Sequence, residues 1–506
     1  MLKEKWILAL LTVAGFFFFY SVNSSIDGGD SATYLVGAKS ILAGTGYSDI
    51  SKPIASPIQH FPPGYSFFLA SLFFFTGVNV VATKIANAVL MLLSILLSFH
   101  FFKKFFSKNV SLALSAAFGL SLAVLWYSHM VLSEPLFIVV SLVSVFFAQK
   151  YFESKNTAGF YFFGAAVFLA LSFFVRSIGA VLIAAAVCFF LWNKKPQKGM
   201  ALFLACIVPI ILWFFYSGAA LEEFDSPKDS YISQIFAVDI LRPELGFAGP
   251  VEIGLRFLKT LAYYLAVSVP TAIASPLGAL NFFFGENFLL YGLGLAASAV
   301  FLAGFFLSCR EKKSLAHFYL AFYLLLIFLI PYNYQSVVNR ILLPVLPFLL
   351  LFFGKGLLAL LEKFKIQKLS GFLPEKAAIL VLIAFIASSI GADLFYISSI
   401  HSRQFDSAYA NMEIAAVQLK GIAGSNSLVY SDSPERLFLF SGIRSVRPSD
   451  ERMVSFLKSQ NVYGAEFALV TQYFEPKKAE QKFVENGFEV VFTAPDNVTK
   501  ILKKSA

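Results

Sequence analysis

Apolar runs long enough to cross a membrane recur throughout this 506-residue chain. That recurrence limits the fold more than any other feature. A run of about 18 or more apolar residues spans the hydrocarbon core as a helix, because ~20 residues rising ~1.5 Å each cover its thickness. About eleven such runs are present, at 6–22, 81–102, 110–127, 134–151, 157–175, 177–192, 199–217, 288–308, 314–331, 340–360 and 375–397. Composition agrees: 58% of residues are hydrophobic and only 14% charged, more apolar surface than a water-soluble domain of this size needs. The fold class expected is a polytopic α-helical membrane protein. The 61 phenylalanines read as lipid-facing filling.

The charges set the topology. The loops 103–109, 149–156, 193–198, 309–313 and 362–368, together with Lys3 and Lys5, hold sixteen Lys or Arg. The opposite loops are longer in total and hold about seven. Positive charge stays on the cytoplasmic side, so the N-terminus is expected inside and the tail beyond about 399 outside. The net charge of +10 is therefore mostly a topology signal and not the footprint of a nucleic-acid partner. Lys3 and Lys5 before run 6–22 resemble a signal peptide, but "YSVNSSIDGG" is a poor cleavage site, so a retained first helix is expected. Cys188, Cys206 and Cys309 lie in or beside apolar runs without CxxC spacing, which gives neither a thiolate metal site nor a disulfide framework.

Two apolar stretches do not fit as simple spans. Residues 65–80 are too short beside 81–102. Residues 258–284 contain Pro270 and Pro276 and must enter and leave on one side. Each is read as an interfacial or re-entrant helix, or the second as an extra pair, giving eleven to thirteen spans. Beyond 399 the composition changes: strands are expected at 427–432, 466–474 and 488–494, with helices at 405–421, 449–459 and 476–486. Pro434 signals a further helix start. That alternation predicts a small extracytoplasmic α/β domain over 399–506, after a membrane domain over 1–398. Its charge is nearly balanced, and the chain shows no Gly-rich phosphate loop and no internal repeat.

The candidate chemistry gathers in the first outer loop, 23–64, and at outer helix ends. Within the loop a helix is expected, capped by Asp30 or Ser31, with Tyr34, Leu35, Ala38, Ile41 and Leu42 at helical spacing and Gly44 as the stop. Asp30 reads either as an N-cap or as a general base at the membrane boundary, where desolvation improves basicity. Asp27 lies beside it. In "FPPGY" (61–65), Pro62 and Pro63 forbid helix just before them, Gly64 permits close approach, and Tyr65 reads as an interfacial anchor. Glu134 opens a span on the outer side: a functional group, or a charge favoured by the helix dipole. Arg176, Arg256 and Arg340 lie at outer helix ends. Arginine suits a phosphate because its planar fork donates two parallel hydrogen bonds, and snorkelling is the plain alternative. His60 and His129 lie at the same level without metal-site spacing.

Asp30, Tyr34, Leu35, Ala38, Leu42, Gly44, Gly46 and Tyr47, followed by Pro62, Pro63, Gly64 and Tyr65, form a pattern. It resembles the first outer loop of the C-type (GT-C) glycosyltransferase superfamily, nearest to bacterial relatives of the protein O-mannosyltransferases and of the lipid A aminoarabinose transferase. "LSEPLF" (132–137) is similar to the family's acidic element, "FFVRSIGAVLIAA" (173–185) to its R-x-x-G junction, and "NRILLPVLPFLLL" (339–351) to its late arginine helix. The resemblance covers about residues 1–400. The chain departs from the pattern at Ser31, where a second acid is common, and at Ile341, where an aromatic usually follows the arginine.

The resemblance implies an inverting sugar transfer from a polyprenyl-phosphate carrier on the outer face of the plasma (inner) membrane. The acceptor would be a protein, glycolipid or glycan, with no nucleic acid involved. It implies Asp30 as the catalytic base or orienter. Asp27, Tyr34, His60, Pro63, Tyr65, Glu134, Arg176 and Arg340 are expected to bind substrate. No cofactor and no metal are expected, since the donor is a lipid monophosphate. A transporter or lipid flippase is the alternative, and a non-catalytic scaffold a third. Transporters more often show internal repeats and polar residues at mid-membrane, whereas here the ionisable residues gather at one face.

Overall fold

The computed structural model describes residues 5–20, 22, 25–26, 29–59, 61–155, 159–218, 235–238, 245–274, 277, 280, 288–330, 340–364, 373–401, 405–423, 427–447, 466–471 and 476–505. All eleven apolar runs fall on helices. In chain order these are α1 (Lys5–Tyr20), the loop helices α2 (Gly29–Leu42) and α3 (Gly64–Thr76), α4 (Val80–Phe102), α5 (Lys108–Gly119), α6 (Leu122–Ser128), α7 (Glu134–Glu153), α8 (Phe160–Val175), α9 (Gly179–Trp192) and α10 (Pro196–Gly218). They continue with α11 (Pro250–Tyr263), α12 (Val269–Ile273), α13 (Phe288–Glu311), α14 (Leu315–Leu329), α15 (Leu346–Lys363) and α16 (Pro374–His401).

Among the described residues five helices, Val80–Phe102, Glu134–Glu153, Pro196–Ser217, Phe288–Glu311 and Arg340–Lys363, are each long and apolar enough to cross a membrane. Five further apolar helices have 10–17 residues. The protein is a multi-pass membrane protein. The run at 110–127 is broken, with α5 and α6 bent by 54°. Leu120 and Ser121 leave helical geometry, and the Ser121 hydroxyl accepts from the Val124 amide to start the second piece. The stretch 65–80 forms the separate helix α3. In 258–284 a π-helical turn, Tyr264–Ser268, joins α11 to α12, and Pro276 lies outside the described residues.

The helix opened by Arg340 sits at the centre of the bundle. It crosses α13 so closely that a Cβ added at Gly304 would lie 1.9 Å from the Phe352 carbonyl oxygen, and one at Gly356 1.9 Å from that of Val300. Small residues at a crossing let two helix backbones approach in this way.

A five-stranded sheet lies toward the C-terminus, in the order β4-β3-β5-β7-β6. Its strands are β3 (Val429–Ser431), β4 (Ser445–Val446), β5 (Phe467–Val470), β6 (Phe488–Thr493) and β7 (Lys500–Lys504); β1 (Ser48–Asp49) and β2 (Ser56–Pro57) pair within the first loop. β3 runs parallel to β4 and β5, and β7 antiparallel to β5 and β6. The helices α17 (Phe405–Ile422), α18 (Pro434–Ser441) and α19 (Pro476–Glu485) flank it. The expected helix at 449–459 lies outside the described residues. The sheet region packs on the first loop: the Ser445 amide donates to the Ser51 carbonyl (2.9 Å), and Lys39 lies 4.6 Å over the Phe438 ring.

Candidate active site

Four charged side chains from four separate stretches of chain meet at helix ends. Glu134 is the first residue of α7, and its side chain is fully buried. Its Oε1 accepts from Arg176 Nη1 (2.6 Å) and from Arg340 Nε. Arg340 also donates from Nη2 to Asp30 Oδ2 (2.7 Å). One carboxylate oxygen thus gathers two guanidinium groups, and the second guanidinium reaches Asp30. Two cations and two anions balance, which is what allows them to be withdrawn from water together. Asp30 is the most open member, with its side chain 32% exposed, against 21% for each arginine.

Local structure explains each placement. Asp30 does not cap the loop helix: α2 begins at Gly29, so Asp30 lies in the first turn, where the helix dipole favours its charge, and its side chain turns to Arg340. Arg176 leaves α8 in extended conformation, at φ −150° and ψ 132°, which carries its side chain toward Glu134. The bend after it depends on Gly179, where a Cβ would lie 2.2 Å from the Ser172 carbonyl carbon. The R-x-x-G spacing is therefore a close crossing of the α8 and α9 ends. Arg340 opens its helix, and the Tyr323 hydroxyl donates to the next carbonyl, of Ile341 (2.7 Å).

The "FPPGY" corner serves the same placement. Pro63 precedes α3, and its carbonyl accepts from the Phe67 amide (2.8 Å). Gly64 lies directly on the end of α8: a Cβ there would stand 2.6 Å from the Phe174 carbonyl oxygen and 2.9 Å from the Val175 nitrogen. Tyr65 is not an anchor at the membrane surface. It is fully buried, donates to Asn87 Oδ1 (3.1 Å) and packs edge-on against Tyr34 with ring centres 4.9 Å apart. Its ring belongs to an apolar cluster with Leu35, Leu69 and Phe73, and Phe68 stacks against it, which explains the burial. Tyr34 is also buried, and its hydroxyl lies 3.1 Å from Ser133 Oγ, which accepts from Arg176 Nη1 (3.1 Å). Burial raises the Tyr34 hydroxyl above the ordinary phenol range, so it stays protonated beside this group.

Of the sequence candidates, Asp30, Tyr34, Glu134, Arg176 and Arg340 come together, with Pro63 and Tyr65 packed behind them. Asp27 and His60 lie outside the described residues. Arg256 is elsewhere, donating to the Ala237 and Ile235 carbonyls (2.7 and 2.6 Å). His129 Nδ1 lies 3.3 Å from the Leu125 carbonyl. Among the described residues no group of three or more His, Cys, Asp or Glu side chains gathers as a metal site would.

Three residues here escape sequence reasoning. Asn87 Nδ2 donates to the Met130 carbonyl (2.7 Å), tying α4 to the turn before Glu134. Ser133 bridges Tyr34 and Arg176. Lys84 is fully buried one turn from Asn87, with Nζ 3.3 Å from Ser25 Oγ. A lone lysine inside an apolar run was the available signal for Lys84, since such a charge needs partners; Asn87 and Ser133 carry none.

A family model described as dolichyl-phosphate-mannose-protein mannosyltransferase matches residues 60–213, which include Pro63, Tyr65, Glu134 and Arg176 but not Asp30 or Arg340. No curated protein matches the chain in sequence. Among solved structures, ArnT from Cupriavidus metallidurans in the apo state is similar over 99% of this chain and 98% of that one, with TM-score 0.61 and 12% identity. The archaeal oligosaccharyltransferase AglB from Archaeoglobus fulgidus is similar over 99% of this chain and 74% of that one, with TM-score 0.57 and 12% identity. The arabinofuranosyltransferase AftD from Mycobacteria is similar over 99% of this chain and 40% of that one, with TM-score 0.50 and 13% identity. Residues 60–213 are thus similar to the dolichyl-phosphate-mannose-protein mannosyltransferase family model, and the fold of the chain is similar to those of ArnT and AglB.

Proposed function

We propose that the protein transfers a sugar from a polyprenyl-phosphate-linked donor to a hydroxyl acceptor at the outer face of the plasma (inner) membrane, with inversion. The acceptor is a protein, a glycolipid or a glycan. The observation that carries the reading is the joining of Asp30, Arg340, Glu134 and Arg176 at helix ends. A carboxylate that acceptors can reach stands beside two guanidinium groups that suit a leaving phosphate. The acceptor oxygen forms a bond to the anomeric carbon while the bond from that carbon to the phosphate oxygen breaks. The electron pair leaves with the lipid phosphate, which Arg340 and Arg176 neutralise. The acceptor proton passes to the Asp30 carboxylate. The family model's description names a dolichyl-phosphate sugar, and the AglB structure is a complex with dolichol-phosphate and a peptide, which supports a lipid-phosphate donor. In this reading the sheet-bearing region over 399–506 is an extracytoplasmic domain beside the site. A transporter does not call for a base and phosphate-type cations gathered at helix ends.

The test is loss of label from a polyprenyl-phosphate-linked radiolabelled hexose or pentose, with membrane extract supplying acceptors. Asp30→Asn is expected to lower turnover about 100- to 10,000-fold, the usual contribution of a general base. Because arginines neutralise the leaving group, wild-type turnover is expected to survive a chelator. Equal turnover in both proteins removes Asp30 from the chemistry.

A further inference from the structure

The base proposed above is not free as the protein stands. Asp30 Oδ2 accepts a charged hydrogen bond from Arg340 Nη2 at 2.7 Å. While that bond stands, Oδ2 is occupied by the guanidinium and is not presented to an acceptor hydroxyl. The same arginine is held at its other end, through Nε, by Glu134. The two carboxylates differ in one decisive respect: Glu134 is fully buried and shared with Arg176, whereas Asp30 is partly open to solvent. Breaking the buried contact would strand a charge away from water, while breaking the open one would not. Arg340 therefore has one fixed contact and one that a competing anion can replace.

We propose that the donor's phosphate takes the Nη edge of Arg340 from Asp30, with the guanidinium still held at Nε by Glu134, so that donor binding itself releases the base. This rests on the lipid-phosphate reading above and adds an order to it. Donor binds first, and Asp30 becomes competent for the acceptor only then. Glu134 acts as a positioning residue, keeping Arg340 in the site while its partner changes.

The inference predicts an uncommon combination: a variant that loses transfer yet holds the donor lipid more tightly. The experiment measures binding of undecaprenyl phosphate, without sugar, to the full-length protein in nanodiscs. Asp30→Asn, and Asp30→Ser as a second variant, are expected to bind about two- to fivefold more tightly than wild type, the scale of one partly exposed ion pair. The gain should vanish in an Arg340→Gln background. Equal or weaker binding by both Asp30 variants overturns the proposal. So does a gain that persists without Arg340, since it would then come only from removing a negative charge. Absence of binding by wild type as well as the variants refutes the lipid-phosphate reading itself.

Discussion

Gly64→Ala should damage the site without touching any charged residue. The added methyl would meet three backbone atoms at the end of α8: the Phe174 oxygen at 2.6 Å, the Phe174 carbon at 2.7 Å and the Val175 nitrogen at 2.9 Å. None can rotate aside as a side chain end would. The corner and the α8 terminus must therefore separate, by roughly 0.5–1 Å, at an overpacking cost of about 1–3 kcal/mol. The residue after Val175 is Arg176, whose hold on Glu134 is a 2.6 Å contact, so the separation reaches the charged cluster directly. A misplacement of about 1 Å at a reacting centre can cost about 100-fold in rate. Transfer from the labelled donor is thus expected to fall about 10- to 100-fold, with a lower melting temperature in detergent. Gly254→Ala is the control: it lies inside α11, nothing stands within 4 Å of its added Cβ, and alanine suits a helix interior better. Wild-type transfer and melting by Gly64→Ala would mean that the corner has room for a side chain and does not set the position of Arg176. Lowered melting with full transfer by the folded fraction would show that the corner serves packing alone.

Glu134→Gln keeps the volume but leaves two guanidinium groups facing each other across a neutral amide, with Asp30 on Arg340 as the one remaining carboxylate of the group. Removing a buried partner in this way costs about 3 kcal/mol, which should lower the melting temperature by several degrees and lower transfer as well; unchanged melting would mean that the arginines find other partners. The contact between the first loop and the sheet region is expected to depend on pH. Burial holds the Asp49 carboxyl above the usual carboxylate range, the charge of Glu435 adds to this, and Lys52 and the Ser51 hydroxyl oppose it; Arg447 in turn pairs with Glu435 (2.8 Å). With the folded value above the unfolded one, Asp49's contribution is fully present in acid and lost as pH rises through the folded value. Melting temperature measured across pH should therefore show a fall that Asp49→Asn flattens, and identical profiles for the two proteins would refute this.

The sequence reveals elements whose signal is local and hides those whose signal is not. Every apolar run became a helix because burial or lipid contact over many residues outweighs local preference. The strands at Val429–Ser431, Phe467–Val470 and Phe488–Thr493 were legible as apolar, β-favouring runs. Lys500–Lys504 was not: it lies inside the sheet between β5 and the edge strand β6, but only Ile501 and Leu502 are buried and lysines surround them. Ser445–Val446 is too short to give a pattern at all. In the site, Asp30, Glu134, Arg176 and Arg340 were legible as ionisable groups at helix ends. Their joining was not, since Glu134 and Arg340 lie 206 positions apart. Tyr65 misled because a tyrosine beside an apolar run has the same local signature whether it faces headgroups or an asparagine from another helix.

The glycine of the corner and the arginine of the R-x-x-G turn acquire one meaning only when read together. Each motif taken alone describes a bend in the chain: two prolines to stop a helix, a glycine to start another. The structure brings the first bend onto the end of α8 and the second onto the residue that follows, so one tight contact fixes where the Arg176 backbone lies. Asn87 and Ser133 tie the turn before Glu134 to the same group of elements. The catalytic candidates thus ride on helix ends, and the end that carries Arg176 is pinned by contacts with no room for adjustment. The proposed exchange of a carboxylate for a phosphate on one arginine calls for that arrangement: a rigid frame around a single replaceable bond.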